Sequence, residues 1–340
     1  MPCLVRPVGS VPSLGDPLVD EYLRFTAARV RANTLTAQAF DLKVFFTVVP
    51  KTPQQVTVTD VLLFIEAQRA PRRGGNVIRL ADGEAGLAAS TIKRRLATVS
   101  SLFDYLFLRG ICDRNPVPRS LGARHARPDG RGHGGRRGAP LVRAPRKLPR
   151  VLAPAEVTAL TGALRTERDR AMVALMVHGG LRRCEVLGLR FEHVQVGDRR
   201  VFVADGKGGH QRLVPVADVF FTTLAAYLSS ERPTEAIDDH VFVVLKGPNR
   251  GRPLTAAGLD EVMAGARGRA GLTHASCHEL RHTCFTRLRE AGMALEAIQA
   301  QAGHASIETT RVYLHLSNDW LAGEYQRAMA ILDGLHEEEP

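Results

Sequence analysis

Residues 278–283 read His278-Glu279-Leu280-Arg281-His282-Thr283, and the meaning of this hexapeptide decides how the rest of the chain is read. On a helix the two imidazoles, four residues apart, share one face. The spacing is also that of the HExxH zinc-protease motif, where two histidines bind metal and the glutamate activates water. Third-ligand candidates follow at Glu296, His304 and Glu308, which keeps that reading open. Arg281 argues against it, because a guanidinium beside a divalent cation is electrostatically unfavourable. A zinc site would also leave the chain's other unusual basic residues without a role, so we expect no metal.

Working outward, three further tracts stand out. Downstream, Gly303-His304-Ala305-Ser306 precedes Thr309-Thr310-Arg311-Val312-Tyr313. Gly303 suits a helix stop and Ser306 a helix cap, which leaves His304 at the junction and Tyr313 about two turns into the next helix. Upstream, Gly180-Leu181-Arg182-Arg183-Cys184-Glu185 follows a predicted helix end. An arginine there can project into a cleft while Glu185, three residues on, holds it. Its planar fork suits phosphate. Between these, Asp205-Gly206-Lys207-Gly208-Gly209 places a lysine on a glycine-flanked turn. It is not a Walker A loop, because Gly208 stands where that motif needs Ser or Thr.

The whole chain points the same way. Its 340 residues suggest two domains, and its formal charge of +11 and pI of 9.9 suggest a polyanionic partner. From Arg119 to Arg150 there are ten Arg/Lys and one Asp, a net of +9, so one short segment carries most of the excess. That segment is rich in Gly and Pro, and is expected to be extended or mobile rather than part of a core. The five cysteines, Cys3, Cys112, Cys184, Cys277 and Cys284, form no CxxC pair, so reduced and mostly buried thiols are expected. No apolar run approaches membrane-spanning length, and the N-terminus does not read as a secretory signal. A cytoplasmic, nucleoid-associated protein with no membrane partner is the expectation.

Apolar spacing predicts helices over Pro17–Ala32, Thr34–Val49, Asp60–Arg69 and Thr91–Leu108. The last has Ile92, Leu96, Val99, Phe103 and Leu106 on one stripe, with Lys93 beside it and Arg94 pointing away. Those two residues are either a solvated face or phosphate contacts. Asn115-Pro116 closes this region. Further helices are expected at Ala153–Leu164 and Glu167–His178, the second stopped by Gly179 in the left-handed conformation. Val194–Val216 reads as short strands around glycine-rich turns, and Val241–Leu245 as another strand. Helices follow at Thr255–Arg267, His278–Ala291, Leu295–Gln301, Ser306–His315 and Trp320–Leu335.

Taken in order, the tracts resemble the tyrosine recombinase family, the phage integrases and Xer-like proteins. They run Gly-Leu-Arg-x-x-Glu, Gly-Lys-Gly in a hairpin, His-x-Leu-Arg-His-Thr, Gly-His, then a tyrosine nine residues after that histidine. The resemblance covers about residues 150–335. It implies a mainly α fold with a small antiparallel β-sheet. A helical, SAM-like core-binding domain at 1–118 and a basic linker at 119–150 would precede an α+β catalytic domain at 151–340. The first domain is similar to the family's only in position and character. Ala302 departs from the leucine many relatives carry before Gly-His, and the basic linker is unusually long.

The resemblance further implies that Arg182 and Arg281 clamp the scissile phosphate. Lys207, His278 and His304 would complete the site, Tyr313 would be the nucleophile, and Glu185 and His282 would support them. Such a set needs no cofactor, since cations stabilise the charge that builds on the phosphate. A 3′-phosphotyrosyl link would conserve the phosphodiester energy. The implied partner is double-stranded DNA, with a dimer on one site and a tetramer at synapsis, serving integration or transposition of a mobile element. DNA contacts are expected from Lys93, Arg94, Arg136, Arg137, Arg146 and Lys147. A type IB topoisomerase, or a DNA-binding protein without catalysis, is the alternative on the same residues.

Overall fold

The computed structural model describes residues 11–70, 86–118, 141–143, 150–204, 211–236 and 238–303. The chain divides into two units, Met1–Arg146 and Lys147–Pro340. Among the described residues, helices dominate and there is one three-stranded antiparallel sheet. This is the fold class expected. No helix among them is long and apolar enough to cross a membrane.

The first unit contains α1 (Pro17–Ala27), α2 (Ala32–Val48), α3 (Val58–Arg69) and α4 (Ala89–Leu108). Asp16 caps α1 by accepting from the Leu18 and Val19 amides at 3.0 and 3.1 Å. Pro17–Ala32 is not one helix. The chain turns at 28–31 so that α1 and α2 both reach a core shared with α4. The α4 stripe is buried as expected, from Ile92 to Leu106.

Arg94 has a partner that spacing alone did not indicate. Its Nη2 donates to Asp41 Oδ1 at 2.8 Å and its Nη1 pairs with Asp41 Oδ2, so it holds a fully buried carboxylate. Thr98 donates to the same group at 3.2 Å. Lys93 is exposed beside a cavity of about 170 Å³ lined by Leu96, Val117, Leu141 and Val142. Part of the basic segment therefore does bury apolar surface. Leu141 and Val142 are an adjacent apolar pair, and Val142 is buried in the helical core. Arg136, Arg137, Arg146 and Lys147 lie outside the described residues.

The second unit is built on α6 (Glu167–His178), preceded by α5 (Pro154–Gly162). Residues 171–177 of α6 are all buried, as befits a helix apolar on every side, and α6 packs against α8 (Asp218–Ser230) and α10 (Cys277–Glu290). After α7 (Arg183–Leu187), β1 (Val194–Gln195), β2 (Arg200–Val203) and β3 (Arg212–Pro215) pair antiparallel in that order, with Val203 opposite Arg212. The helices α9 (Ala256–Arg269) and α11 (Leu295–Ala302) complete the unit. The segments predicted at Ser306–His315 and Trp320–Leu335 lie outside the described residues.

Two expectations change. Val241–Leu245 joins no sheet: its bridge, Val243 to Pro253, is flanked by bonds from the Val244 amide to the Arg252 carbonyl at 2.8 Å and from the Leu254 amide to the Phe242 carbonyl at 3.1 Å, and there the partner segment turns, the Arg252 amide donating to the Asn249 carbonyl at 3.0 Å instead of back across the ladder. Gly179 keeps a right-handed φ of −98°, and Gly180 takes the left-handed φ of +66°. Leu181 then turns back to donate its amide to the Leu175 carbonyl at 3.2 Å. The described cysteines are unbridged. Burial pushes the Cys277 thiol up to about 11 and that of Cys284 to about 12. The thiols are less buried than expected: among those described, Cys284 is buried, Cys112 and Cys277 are half-buried and Cys184 is exposed.

Candidate active site

The site grows from the start of α7. Arg182 occupies the N-cap in an extended conformation, and Glu185 reaches back to accept its amide at 2.8 Å. This i, i+3 loop fixes the carboxylate close to the helix axis. Arg182 Nη1 also donates to Glu185 Oε1 at 2.7 Å, the pairing expected from spacing.

Two more arginines converge on the same carboxylate from distant elements. From β3, Arg212 makes a two-pronged contact, Nη1 to Oε1 at 3.0 Å and Nη2 to Oε2 at 2.9 Å. From α10, Arg281 Nη1 stands 3.9 Å from Oε2. Glu185 has no exposed side-chain surface. Burial alone would raise its pKa. The Arg212 guanidinium, the Arg182 amide and the Arg182 side chain outweigh that and hold it below the usual carboxylate range. Three guanidinium groups against one carboxylate leave two surplus positive charges.

The same three arginines grip the end of α11. Arg212 Nε donates to the Gln301 carbonyl at 2.8 Å, Arg281 Nη2 to that of Ala302 at 2.7 Å, and Arg182 Nη2 reaches that of Gly303 at 3.4 Å. These carbonyls lie at a helix C-terminus, where intrahelical donors run out and the dipole favours cations. Gly303 stops α11 as expected, with φ +60° and ψ +50°. Gln301 Nε2 ties the same end to the Gly179 carbonyl at 3.3 Å.

Gly180 and Arg281 are positioned by each other. Arg281 Nη1 donates to the Gly180 carbonyl, and its guanidinium carbon lies 4.8 Å from the Phe285 ring centroid. A Cβ on Gly180 would stand 2.4 Å from Phe285 Cζ, so only glycine fits there.

His278 and His282 do share a face of α10, with their Nε2 atoms 2.9 Å apart, one donating and the other accepting. Partial burial, then Arg281, lowers the His278 pKa. Burial, then His278 and Arg281, lowers that of His282 to about 4. Both imidazoles are thus neutral at neutral pH. Glu279 faces His274, 3.4 Å from its Nδ1. No three His, Cys, Asp or Glu side chains among the described residues are grouped to hold a metal ion. Thr283, fully buried, accepts from the Leu152 amide at 3.0 Å and so ties the chain entering this unit to α10.

Of the residues expected from sequence, Arg182, Glu185, His278, Arg281 and His282 come together. Lys207, His304 and Tyr313 lie outside the described residues. Arg212 and Gln301 were missed. Arg212 is one of 46 Lys and Arg residues, and only its place at a strand start five residues after Lys207 distinguishes it.

Comparison with known proteins bears on family and fold. The phage integrase family profile matches residues 150–319. The chain is 28% identical over 322 residues to tyrosine recombinase XerC of Serratia marcescens, covering 93% of this chain and 95% of that one. XerC of Yersinia pestis is 30% identical over 249 residues, 72% of this chain and 74% of that protein. The solved Tn1549 transposon integrase, in complex with transposon right end DNA, aligns with a TM-score of 0.67 at 18% identity, covering 92% of this chain and 98% of that one. A lambda integrase dimer bound to a core site aligns with a TM-score of 0.60 at 19% identity, covering 87% and 93%. At these identities the two structures speak for the fold. Fold, site and relatives define a tyrosine-type recombinase, an enzyme of site-specific DNA recombination. The chain belongs to the phage integrase family.

Proposed function

We propose that the arginine cluster binds the scissile phosphate of duplex DNA and that Tyr313 attacks it. What supports this is the pair of surplus charges around Glu185, gathered where Arg182 is partly open and Gly303 leads into His304. Arg182 and Arg281 stabilise the charge that develops on the non-bridging oxygens, and His278 and His304 add hydrogen bonds to it. Tyr313 passes its proton to a neutral imidazole of the site, its oxygen bonds to phosphorus, and the bond to the 5′ oxygen breaks. Lys207 donates the proton that the leaving 5′ oxygen takes up. The 3′-phosphotyrosyl link is reversed when a 5′-hydroxyl attacks it. Neutral His278, beside two arginines, suits donation to an anion without adding to their mutual repulsion.

The basic residues at 119–150 would add sequence-independent contacts to the DNA backbone. Solved relatives bear on partner and assembly: the Tn1549 integrase is in complex with DNA, and the lambda integrase is a dimer on its core site. That likeness supports a dimer of this chain on one site; a tetramer at synapsis, in integration or transposition, is the part of the proposal that goes beyond it.

The test is covalent capture. The full chain is mixed with a pool of randomised duplexes, each nicked so that cleavage releases a short fragment and cannot reverse. The wild-type protein gives an adduct resistant to detergent, and Tyr313→Phe gives none. An adduct with Tyr313→Phe would reassign the nucleophile, and no adduct with wild type would remove the catalytic reading.

A further inference from the structure

Arg212 is the one cation of the cluster that the phosphate-clamp reading does not use. It is nearly buried, and each of its three nitrogens donates to protein: Nε to the Gln301 carbonyl, Nη1 and Nη2 to the two Glu185 oxygens. A fork matched to a carboxylate in this way has its paired donors engaged and is held in one plane. Arg182, by contrast, keeps part of its side chain open to solvent.

Three chain segments meet at Arg212: β3, the N-terminal turn of α7, and the last turn of α11. Glu185 lies 27 residues away and Gln301 89 residues away. Without Arg212, Glu185 would be left to Arg182 and Arg281. Both would be drawn onto the carboxylate, their charges more fully spent on it and the surplus halved. The α11 end would also lose one of its three arginine anchors, two residues before the Gly303 carbonyl that Arg182 reaches.

We infer that Arg212 is a positioning residue for the recombination reaction: by neutralising Glu185 and anchoring the end of α11, it leaves Arg182 oriented and charged for the scissile phosphate. This rests on the clamp reading above. It differs from a merely structural role in one respect. Arg212 matters in proportion to the negative charge of the phosphate, because it acts through the arginine that meets that charge.

The experiment compares cleavage of two duplexes built on a sequence recovered by covalent capture. One carries the ordinary scissile phosphodiester, and the other a methylphosphonate, which lacks the negative charge. Arg212→Gln is expected to slow cleavage of the phosphodiester about 100-fold, the scale of a small misplacement of catalytic groups, and of the methylphosphonate less than about 5-fold. Arg212→Lys, which keeps the charge but not the fork, should show the same pattern with a smaller loss. It also keeps the test decisive if Arg212→Gln does not fold. In an Arg212→Gln, Glu185→Gln double variant, with the carboxylate charge gone, the phosphodiester rate should partly recover. Equal losses on the two duplexes, or none, would overturn the inference. Arg182→Gln is run alongside. If it shows no preference for the neutral duplex, the clamp reading itself fails, whatever Arg212 does.

Discussion

Replacing Gly180 by alanine tests whether the close approach of Gly180 and Phe285 organises the site. The cost has two separable parts. An alanine held at φ +66° loses roughly 1–2 kcal/mol to left-handed strain, partly offset by about 0.4–1 kcal/mol from a less flexible unfolded chain. The new methyl would stand 2.4 Å from Cζ of a fully buried phenyl ring, and overpacking of that kind costs about 1–3 kcal/mol more. The sum is about 1–5 kcal/mol, centred near 3, a large part of a typical folding free energy. Gly271 provides the control, with φ +65° and nothing within 4 Å of its would-be Cβ. Gly271→Ala should therefore cost only the backbone part, about 1 kcal/mol. Amide exchange of α6 and α10 peptides against urea, read by mass spectrometry in the full chain, isolates the stability of this unit. Gly180→Ala should also slow DNA cleavage, because Phe285 carries the Arg281 guanidinium on its ring and Arg281 donates to the Gly180 carbonyl. Equal destabilisation by the two substitutions would refute the steric argument.

Two further outcomes follow from the charges. The His282 pKa of about 4 lies below its ordinary 6.5, so as pH falls through that window the unfolded chain takes up the proton first, and stability is lost between about 6.5 and 4 but not below. His282→Gln should flatten unfolding free energy against pH over that range, and an unchanged slope would mean another group carries the dependence. Changing Arg136, Arg137, Arg146 and Lys147 to glutamine should weaken DNA binding and reduce the slope of log affinity against log salt by about 0.9 for each phosphate no longer neutralised. Unchanged affinity and slope in a filter-binding titration would leave that stretch a tether.

What could be read from sequence was local. The α4 stripe was legible because five apolar residues at helical spacing leave one way to bury them. The hold of Glu185 on Arg182 was legible because an i, i+3 carboxylate at a helix start can do little else. The Gly179-Gly180 pair was not. Either glycine tolerates a left-handed conformation; Gly180 takes it where the Leu181 amide returns to the Leu175 carbonyl, and the Phe285 ring, arriving from a helix about a hundred residues on, leaves no room there for a side chain. Val241–Leu245 has the composition of a strand, but whether it can extend a ladder depends on its partner segment, which turns at 249–252 after a single bridge. Asp41 and Arg94 illustrate the same limit, since a basic residue on an exposed helix face reads as solvated or phosphate-binding until its acid, 53 residues away, is known.

On the proposed reading of the cluster as a phosphate site, the carboxylate at its centre calls for a physical reason, because Glu185 would repel the ligand that the arginines would attract. Three guanidinium groups packed together without it would repel one another and lack a common acceptor to set their planes. A buried charge is tolerable only when its hydrogen bonds are met, and Glu185 meets that condition with Arg212, the Arg182 amide and the Arg182 side chain. One negative charge thus orders three positive ones and still leaves two over. A neutral glutamine could accept from Arg182 but could not hold Arg212 in a charge-assisted fork, and Arg212 is what ties β3 and the end of α11 to the cluster. On that proposal, the loss of some attraction for phosphate is the condition for having Arg182 and the Gly303 carbonyl it reaches fixed in place before DNA arrives.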